Sequence, residues 1–199
     1  MMTGLYRLAI WAIVLLSLPL QILIALLIVL SSGSPVLFRQ RRVGKDGRVF
    51  TMYKFRTMRK GSEHERDNLA SQNESDGPTF KIHHDPRFTE VGKFLSHTGL
   101  DELPQLVNVL CCDMALIGPR PLPLSEAKLL KPWMRKRHRI NPGMISPAII
   151  DDAYHDDFVA WMKSDVAYAR NKHMWGDVLL VFRFVPFMAR MLLRELVGR

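Results

Sequence analysis

The sequence predicts an α+β fold that is rich in helix, with a small antiparallel β-hairpin, an N-terminal membrane segment and amphipathic helices. The first observation behind this prediction is Leu8–Leu30, a stretch without a charged side chain. The second is Asp46-Gly47, a dipeptide typical of hairpin turns, which lies between two β-rich arms. The third is a C-terminal stretch in which arginines recur on one side of a predicted helix. We therefore divide the chain into 1–33, 34–175 and 176–199.

The composition predicts a packed core and anionic partners. The chain has 199 residues, of which 48% are hydrophobic and 24% are charged, so it can form one domain with an accessory segment. Its formal net charge of +9 suits phospholipid headgroups, phosphorylated substrates or nucleic acid, and the charge alone does not choose among them. The cysteines, Cys111 and Cys112, are adjacent, which indicates a reducing compartment rather than a disulfide-stapled secreted domain.

The N-terminal apolar stretch is long enough to enter a membrane. As a straight helix, Leu8–Leu30 would reach about 35 Å, and a bilayer core is about 30 Å thick. Pro19 lies in its middle and removes one backbone hydrogen bond, so a kinked single span and a helix that returns to the same face both remain open. Cations crowd the region after the stretch, and the positive-inside rule therefore places the following domain in the cytoplasm. These cations are Arg39, Arg41, Arg42, Lys45 and Arg48.

The sequence after the membrane segment predicts short helices and strands that are separated by breaks. Ser31–Pro35 forms the first break, and a hairpin within Val36–Met58 follows it. Residues Arg59–Thr79 are polar and predict a mobile loop. The remaining predictions are short helices within Arg87–His97 and Pro104–Leu110, a rigid turn over Ile117–Pro123, a helix over Ser125–Arg139, a stiff loop over Asn141–Pro147 and a helix over Asp157–Arg170.

Cations and apolar residues separate onto two sides of the C-terminal segment. Arg183, Arg190 and Arg194 fall on one side of a helix, and Phe, Leu and Met residues fill the rest. This pattern suits a helix on a membrane surface, and a helix packed on the protein core is the alternative. We interpret the basic run Arg135–Arg139 as a solvated or headgroup-facing side, and we expect no nucleic-acid partner.

Asp101 and Glu102 are adjacent acids at the start of a predicted helix in a basic chain. A helix start favours negative charge, so simple capping is one explanation. The other is chemical, because an ionised carboxylate can attack phosphorus or bind Mg²⁺. Cations in other segments favour the chemical explanation, since fixed positive charges would neutralise substrate phosphates beside the acids. These cations are Lys54, Arg56, Arg87 and Arg120.

Four motifs in this order resemble a known family. They read "GSPVLFRQRRVGKDGRVFTMYKFRTM", "DPRFTEVGKFL", "LDELPQLVNVL" and "DMALIGPRPL". Together they are similar to the bacterial sugar transferases, the monotopic polyprenyl-phosphate phosphoglycosyl transferases. The resemblance covers nearly the whole chain and is densest from Gly33 to Leu122.

The resemblance implies a reaction and assigns the site. Members of the family move a sugar-1-phosphate from a UDP-sugar to undecaprenyl phosphate or a similar lipid, with Mg²⁺. By similarity, Asp101 attacks the β-phosphorus, UMP leaves, and the lipid phosphate then takes the phosphosugar from Asp101. Asp101 and Glu102 would hold the metal. The residues expected to bind substrate phosphates are Lys54, Arg56, Arg87 and Arg120.

The resemblance also implies an arrangement at the membrane. Residues 1–33 would form a re-entrant helix broken at Pro19, and 34–175 would form a catalytic domain on the cytoplasmic face of the bacterial inner membrane. Residues 176–199 would lie on the membrane surface. The chain reads "PGMISPAII" where many members read "PGITGLAQV", so the identity of the sugar stays open, as do the glycan pathway and the oligomeric state. A non-catalytic membrane adaptor that binds anionic lipid is the alternative function.

Overall fold

The computed structural model describes residues 4–80, 82, 84–150 and 157–197. Residues 1–3 and 198–199 of the two terminal segments lie outside the described residues. The helices are α1 (Gly4–Ser32), α2 (Glu90–His97), α3 (Gln105–Leu110), α4 (Leu124–Lys128), α5 (Pro147–Ile150), α6 (Phe158–Asn171) and α7 (Met174–Val197). The strands are β1 (Leu37–Val43), β2 (Val49–Phe55), β3 (Ala115–Ile117) and β4 (Gly143–Ile145). The α+β fold class is confirmed.

The predicted hairpin is confirmed. Strands β1 and β2 pair antiparallel, from Leu37 opposite Phe55 to Val43 opposite Val49. Asp46 and Gly47 have φ values of 53° and 79°, which the tight reversal requires and which Asp and Gly tolerate. The hairpin carries Lys54 to its open end, close to the point where the chain arrives from α1.

Both halves of α1 pack on the same domain. Ile10, in the first half, lies in a buried cluster with Val109 and Met114, and the Leu116 N–H donates to the Tyr6 hydroxyl at 3.0 Å. In the second half, buried isoleucines contact residues of β2 and α2. The isoleucines are Ile24 and Ile28, and their partners are Phe55 of β2 and Leu95 of α2. Helix α1 therefore lies along the domain rather than standing away from it.

The rest of α1 is apolar and exposed. Leu5 is 80% exposed and Leu16 is 83% exposed, and Pro19 lies inside a helix of 29 residues. Within the described ranges, α1 is the one helix long and apolar enough to cross a membrane, by length and composition. This helix and its exposed apolar side favour membrane association.

Helices α2 and α3 fix the region around the acids. Thr89 caps α2 by accepting a hydrogen bond from the Gly92 N–H at 2.9 Å. Gly92 lies against the backbone of Thr57, where a Cβ atom would come within 1.8 Å of the carbonyl oxygen. Asn108 of α3 donates to the Thr51 carbonyl of β2 at 2.7 Å. The predicted helices within Arg87–His97 and Pro104–Leu110 are both confirmed.

The rigid, non-helical turn predicted over Ile117–Pro123 is confirmed, since residues 118–122 lie in neither helix nor strand. Two other predictions, between residues 125 and 147, are wrong. Strand β4 lies within Asn141–Pro147, where we expect only a loop, and it pairs in parallel with β3, with Ala115 opposite Gly143. The helix expected over Ser125–Arg139 divides into α4 and a 3₁₀ helix, Met134–Arg139. Pro132 explains this division, because proline disfavours helical geometry in the residue before it and cannot donate a backbone hydrogen bond.

The C-terminal half of the described chain ends in two helices. The prediction for Asp157–Arg170 is confirmed, since Asp157 caps α6 and the carboxylate of Asp76 accepts from the Phe158 N–H at 3.1 Å. Asp76 belongs to the polar segment 59–79, which contains short 3₁₀ helices at Ser62–Glu65 and Ala70–Gln72. No described residue of α7 is buried, and many of its large apolar side chains are exposed, among them Trp175, Phe182 and Leu193.

Candidate active site

The acidic pair lies in a single turn just before α3. Leu100–Glu102 is a 3₁₀ helix, and it begins after Gly99, whose φ of 68° is a conformation that glycine adopts readily. Pro104 then stands directly before α3, where its missing N–H costs nothing. The turn directs Asp101 inward, so that only 5% of its surface is exposed.

Lys54 joins the two acids from the end of β2. Its Nζ lies 2.7 Å from Glu102 Oε1 and 3.3 Å from Asp101 Oδ2. This contact depends on how α3 sits on β2. Asn108 holds the two elements together, since its side-chain oxygen accepts from the Tyr53 N–H at 3.2 Å and its amide nitrogen donates to Thr51.

Arg120 reaches the same cluster from the loop after β3. Its Nη1 lies 3.0 Å from Glu102 Oε1, the oxygen that also contacts Lys54. The hairpin supports this loop, because Arg42 donates to the Pro121 carbonyl at 2.9 Å and the Val43 N–H donates to the Leu122 carbonyl at 3.0 Å. Three separate segments thus meet at the acidic pair.

Burial and the neighbouring cations act in opposite directions on the two carboxyls. Burial is the largest influence on the pKa of Asp101, and it raises that pKa above its usual value although Lys54 opposes it. Burial also acts to raise the pKa of Glu102, but the positive charges of Arg120 and Lys54 outweigh it and lower the pKa to about 2. Glu102 is therefore ionised at neutral pH and balances the cations.

The other two predicted phosphate ligands have different partners. Arg56 donates from Nη2 to the carbonyls of Ser32 and Gly33, at 2.8 and 2.6 Å. It therefore neutralises the C-terminal end of α1. Arg87 is buried in a two-pronged ion pair with Asp85, with a shortest distance of 2.6 Å. The structure brings Lys54 and Arg120 to the acids but joins Arg56 and Arg87 to other groups.

The donor set at the acidic pair suits Mg²⁺. Mg²⁺ binds through one or two carboxylates and keeps its remaining positions for water and substrate phosphates. Asp101 and Glu102 supply two adjacent carboxylates, and the ionised state of Glu102 suits a hard cation. Across the described residues, no group of three or more His, Cys, Asp or Glu side chains could hold a metal by itself. Asp101 and Glu102 are thus the donor pair at this site that could hold Mg²⁺.

One arginine of the basic run Arg135–Arg139 is buried near the site. Arg137 is only 1% exposed and pairs with Asp165 of α6, which is fully buried. The interpretation of this run as solvated is therefore wrong for Arg137. The spacing of cations in a short basic run does not reveal which one turns inward, so sequence alone offers no signal here.

Comparison with known proteins now assigns the family. Residues 6–191 match the bacterial sugar transferase family. The chain belongs to this family. The matched part of this sugar transferase contains all four side chains of the ionic cluster, namely Lys54, Asp101, Glu102 and Arg120.

Several curated proteins are similar to this sugar transferase. The UDP-N-acetylgalactosamine-undecaprenyl-phosphate N-acetylgalactosaminephosphotransferase of Aeromonas hydrophila is 39% identical over 84% of this chain and 38% of its own length. The UDP-glucose:undecaprenyl-phosphate glucose-1-phosphate transferase of Escherichia coli is 37% identical over 85% of this chain and 36% of its own length. The exopolysaccharide production protein ExoY of Sinorhizobium fredii is 32% identical over 89% of this chain and 80% of its own length. The chain thus spans little more than a third of the first two proteins.

Proposed function

We propose that this chain is a phosphoglycosyl transferase that moves a sugar-1-phosphate from a UDP-sugar to undecaprenyl phosphate. The observation that carries the proposal is the buried cluster in which Lys54 and Arg120 meet Asp101 and Glu102. The names of the relatives supply the class of acceptor and donor. A membrane adaptor, the alternative function, has no need of a buried acid flanked by fixed cations.

In the proposed reaction, Asp101 is the nucleophile. An oxygen of its carboxylate forms a bond to the β-phosphorus of the UDP-sugar, and the bond from that phosphorus to the bridging oxygen of UMP breaks. UMP leaves with the bonding electrons, and the sugar phosphate stays on Asp101 as an acyl phosphate. An oxygen of undecaprenyl phosphate then attacks the same phosphorus, which gives the lipid diphosphate sugar and restores the carboxylate.

The remaining cluster residues prepare the site for phosphate. Lys54 and Arg120 are held by Glu102 before substrate arrives, so little reorganisation is needed when they turn to phosphate oxygens. Burial keeps Asp101 away from bulk water, which strengthens these interactions. Asp101 and Glu102 would hold Mg²⁺, which when bound supplies charge neutralisation for the diphosphate.

The proposed reaction needs the site to face a membrane. Both ends of α1 contact the same domain, through Tyr6 and Ile10 at one end and Ile24 at the other. We infer that α1 enters and leaves the membrane on one face, the cytoplasmic face of a bacterial inner membrane. The exposed apolar side of α7 would lie on that face, as expected for an interfacial helix.

Site-specific labelling tests the topology. Single cysteines replace Gly4 and Arg48 in a background without Cys111 and Cys112, and a membrane-impermeant reagent is added to the cytoplasmic side. We expect both positions to react, because both ends of the helix stay with the domain. Labelling of the two positions from opposite sides would show a single span and reject this arrangement.

Substitution of Asp101 tests the reaction. Purified protein with Mg²⁺, a panel of UDP-sugars and undecaprenyl phosphate should release UMP, and Asp101→Asn should reduce release by at least about a thousandfold. Mass spectrometry of the wild-type protein with UDP-sugar alone should find a phosphosugar on Asp101. Asp46→Asn, in the exposed hairpin turn, is the matched control and should keep full activity. Normal turnover by Asp101→Asn would reject the nucleophile.

A further inference from the structure

A buried ion pair lies directly behind the arginine of the active site. The Nη2 atom of Arg137 lies 2.5 Å from Asp165 Oδ2 and 2.6 Å from the main-chain carbonyl oxygen of Arg120. Arg137 and Asp165 are 1% and 0% exposed. The guanidinium also lies over the ring of Trp161, with 5.6 Å from its central carbon to the ring centroid. A single nitrogen thus connects α6 to the residue that contacts Glu102.

Stability alone does not explain this pair. Two charges lose their hydration when they are buried together, and apolar side chains of similar volume often stabilise a protein equally well. Around Arg137 such an apolar core exists already, since Trp161 and Met162 of α6 pack there with Leu122 and Met134. The feature that an apolar replacement could not supply is the hydrogen bond to the Arg120 carbonyl.

The loop that carries Arg120 needs such a support. Gly118 to Pro123 contains three prolines and forms neither helix nor strand, so few backbone N–H groups can fix its path. Backbone N–H groups of Val43 and Gly143 hold the carbonyls of Leu122 and Pro119, and side chains hold those of Arg120 and Pro121. Arg42 donates to Pro121, and just before the loop Lys172 donates to the Ile117 carbonyl at 2.8 Å. Arg137 holds the carbonyl of Arg120, the residue of this loop whose side chain reaches Glu102 in the described contacts.

We propose that Arg137 and Asp165 are positioning residues that hold the backbone of Arg120, so that its guanidinium stays directed at Glu102 and at the phosphates of the substrate. This proposal rests on the proposed function for its effect on turnover. Asp165 orients Arg137, Arg137 fixes the carbonyl of Arg120, and neither touches the acids in the described contacts. A displacement of about 1 Å in a positioned group can cost about a hundredfold in rate.

The test must separate positioning from folding. A single substitution leaves one buried charge without its partner and destabilises the fold strongly. We therefore replace both residues, as Arg137→Met with Asp165→Leu, and compare the pair with the exposed control Lys136→Met. We expect the double variant to unfold within a few degrees of the wild type, while kcat falls about tenfold to a hundredfold and KM for the UDP-sugar changes less. Full activity in the folded double variant, or a double variant that does not fold, overturns the proposal.

A comparison in a second background shows whether the pair acts through Arg120. In Arg120→Ala there is no guanidinium to position, so adding Arg137→Met and Asp165→Leu should reduce kcat less than about twofold further. A purely structural role predicts the same fall in both backgrounds. Equal falls in the wild-type and Arg120→Ala backgrounds would overturn the proposal.

A measurement without turnover separates this proposal from the proposed function. Arginine labelled with ¹⁵N allows the Nε–H signal of Arg120 to be followed by NMR, and the spectrum of Arg120→Ala identifies that signal. Loss of the Arg137–Asp165 pair should shift the signal, because the guanidinium of Arg120 no longer stays beside Glu102. If no UDP-sugar yields UMP with the wild type, the proposed function fails while this spectrum still decides the positioning role. An unchanged Arg120 signal in the double variant rejects that role.

Discussion

Replacement of Arg120 by methionine should return the ionisation of Glu102 to that of an ordinary glutamate. In the wild type, burial acts to raise the pKa of Glu102, and the charges of Arg120 and Lys54 outweigh it and lower the pKa from 4.5 to about 2. Of the two cations, Arg120 has the larger coulombic effect on this pKa. Methionine keeps much of the volume of arginine but removes the charge 3.0 Å from the carboxylate.

The size of the effect follows from the pKa difference. A change from 4.5 to about 2 corresponds to about 3 kcal/mol of net stabilisation of the ionised carboxyl. One pair of unit charges about 4 Å apart supplies about 4 kcal/mol at an effective dielectric constant of 20. Loss of Arg120 alone can therefore cancel the net stabilisation, and we expect the pKa of Glu102 to reach 4.5 or higher in Arg120→Met.

The same shift sets a pH dependence of folding. Because the pKa of Glu102 is lower in the folded protein, its ionisation contributes stability above about pH 4.5, and this contribution is lost as the pH falls towards 2. At neutral pH, Arg120→Met should therefore unfold with a free energy about 3 kcal/mol lower than the wild type. The difference should shrink as the pH falls from about 5 to 2.

Carboxyl ¹³C NMR titration measures the pKa, and the spectrum of Glu102→Gln identifies the signal. Denaturant unfolding at several pH values measures the stability difference. Arg48→Met, which removes an exposed cation from the hairpin turn, is the control and should leave the titration of Glu102 unchanged. A wild-type Glu102 that titrates near 4.5, or a value near 2 that persists in Arg120→Met, would refute the electrostatic reasoning.

Three further predictions concern single positions. Asn108→Leu removes both hydrogen bonds from α3 to the β2 backbone and should lower the unfolding free energy by about 2–3 kcal/mol in denaturant titrations. Gly92→Ala places a Cβ within 1.8 Å of the Thr57 carbonyl oxygen and should lower the thermal midpoint by several degrees, whereas Gly4→Ala meets no atom within 4 Å and should not. Turnover should fall as the pH drops through the pKa of Asp101, which lies above its usual 3.8, because the proposed nucleophile must be ionised. A rate that stays constant into that acidic range would contradict this prediction.

Local signals made the hairpin and several helices predictable. The turn residues Asp46 and Gly47 and the two β-rich arms are contiguous in sequence, and the paired strands differ little from the prediction. The pairing of β3 with β4 could not be predicted in the same way. It joins Ala115 to Gly143 across a long separation, and the two short strands carry no pattern that distinguishes them from loops. Pro132, by contrast, is a local signal in the sequence, because proline disfavours helical geometry in the residue before it, and α4 does end before this proline.

Two of the four cations predicted to lie at the site could be predicted from their positions in local structure. Lys54 lies at the end of a strand and Arg120 lies in a rigid turn, and these positions direct both cations to the acids. The position of Arg56, two residues after Lys54, suggests the same role. Its partners are nevertheless the last carbonyls of α1, because the helix ends beside it in the folded chain. Only the tertiary arrangement reveals that neighbour.

The different environments of the two adjacent carboxyls favour different roles for them in the proposed reaction. Glu102 contacts both cations, at 2.7 and 3.0 Å, and its pKa is lowered, so it is a weak base that keeps those charges in place. Asp101 is more weakly paired, at 3.3 Å from Lys54, and burial raises its pKa. Adjacent acids whose environments push their pKa values apart commonly divide their tasks in this way. The more basic carboxylate is the better nucleophile towards phosphorus, and the less basic one is the better permanent counter-charge. This difference supports the proposal that Asp101 attacks while Glu102 holds Lys54 and Arg120.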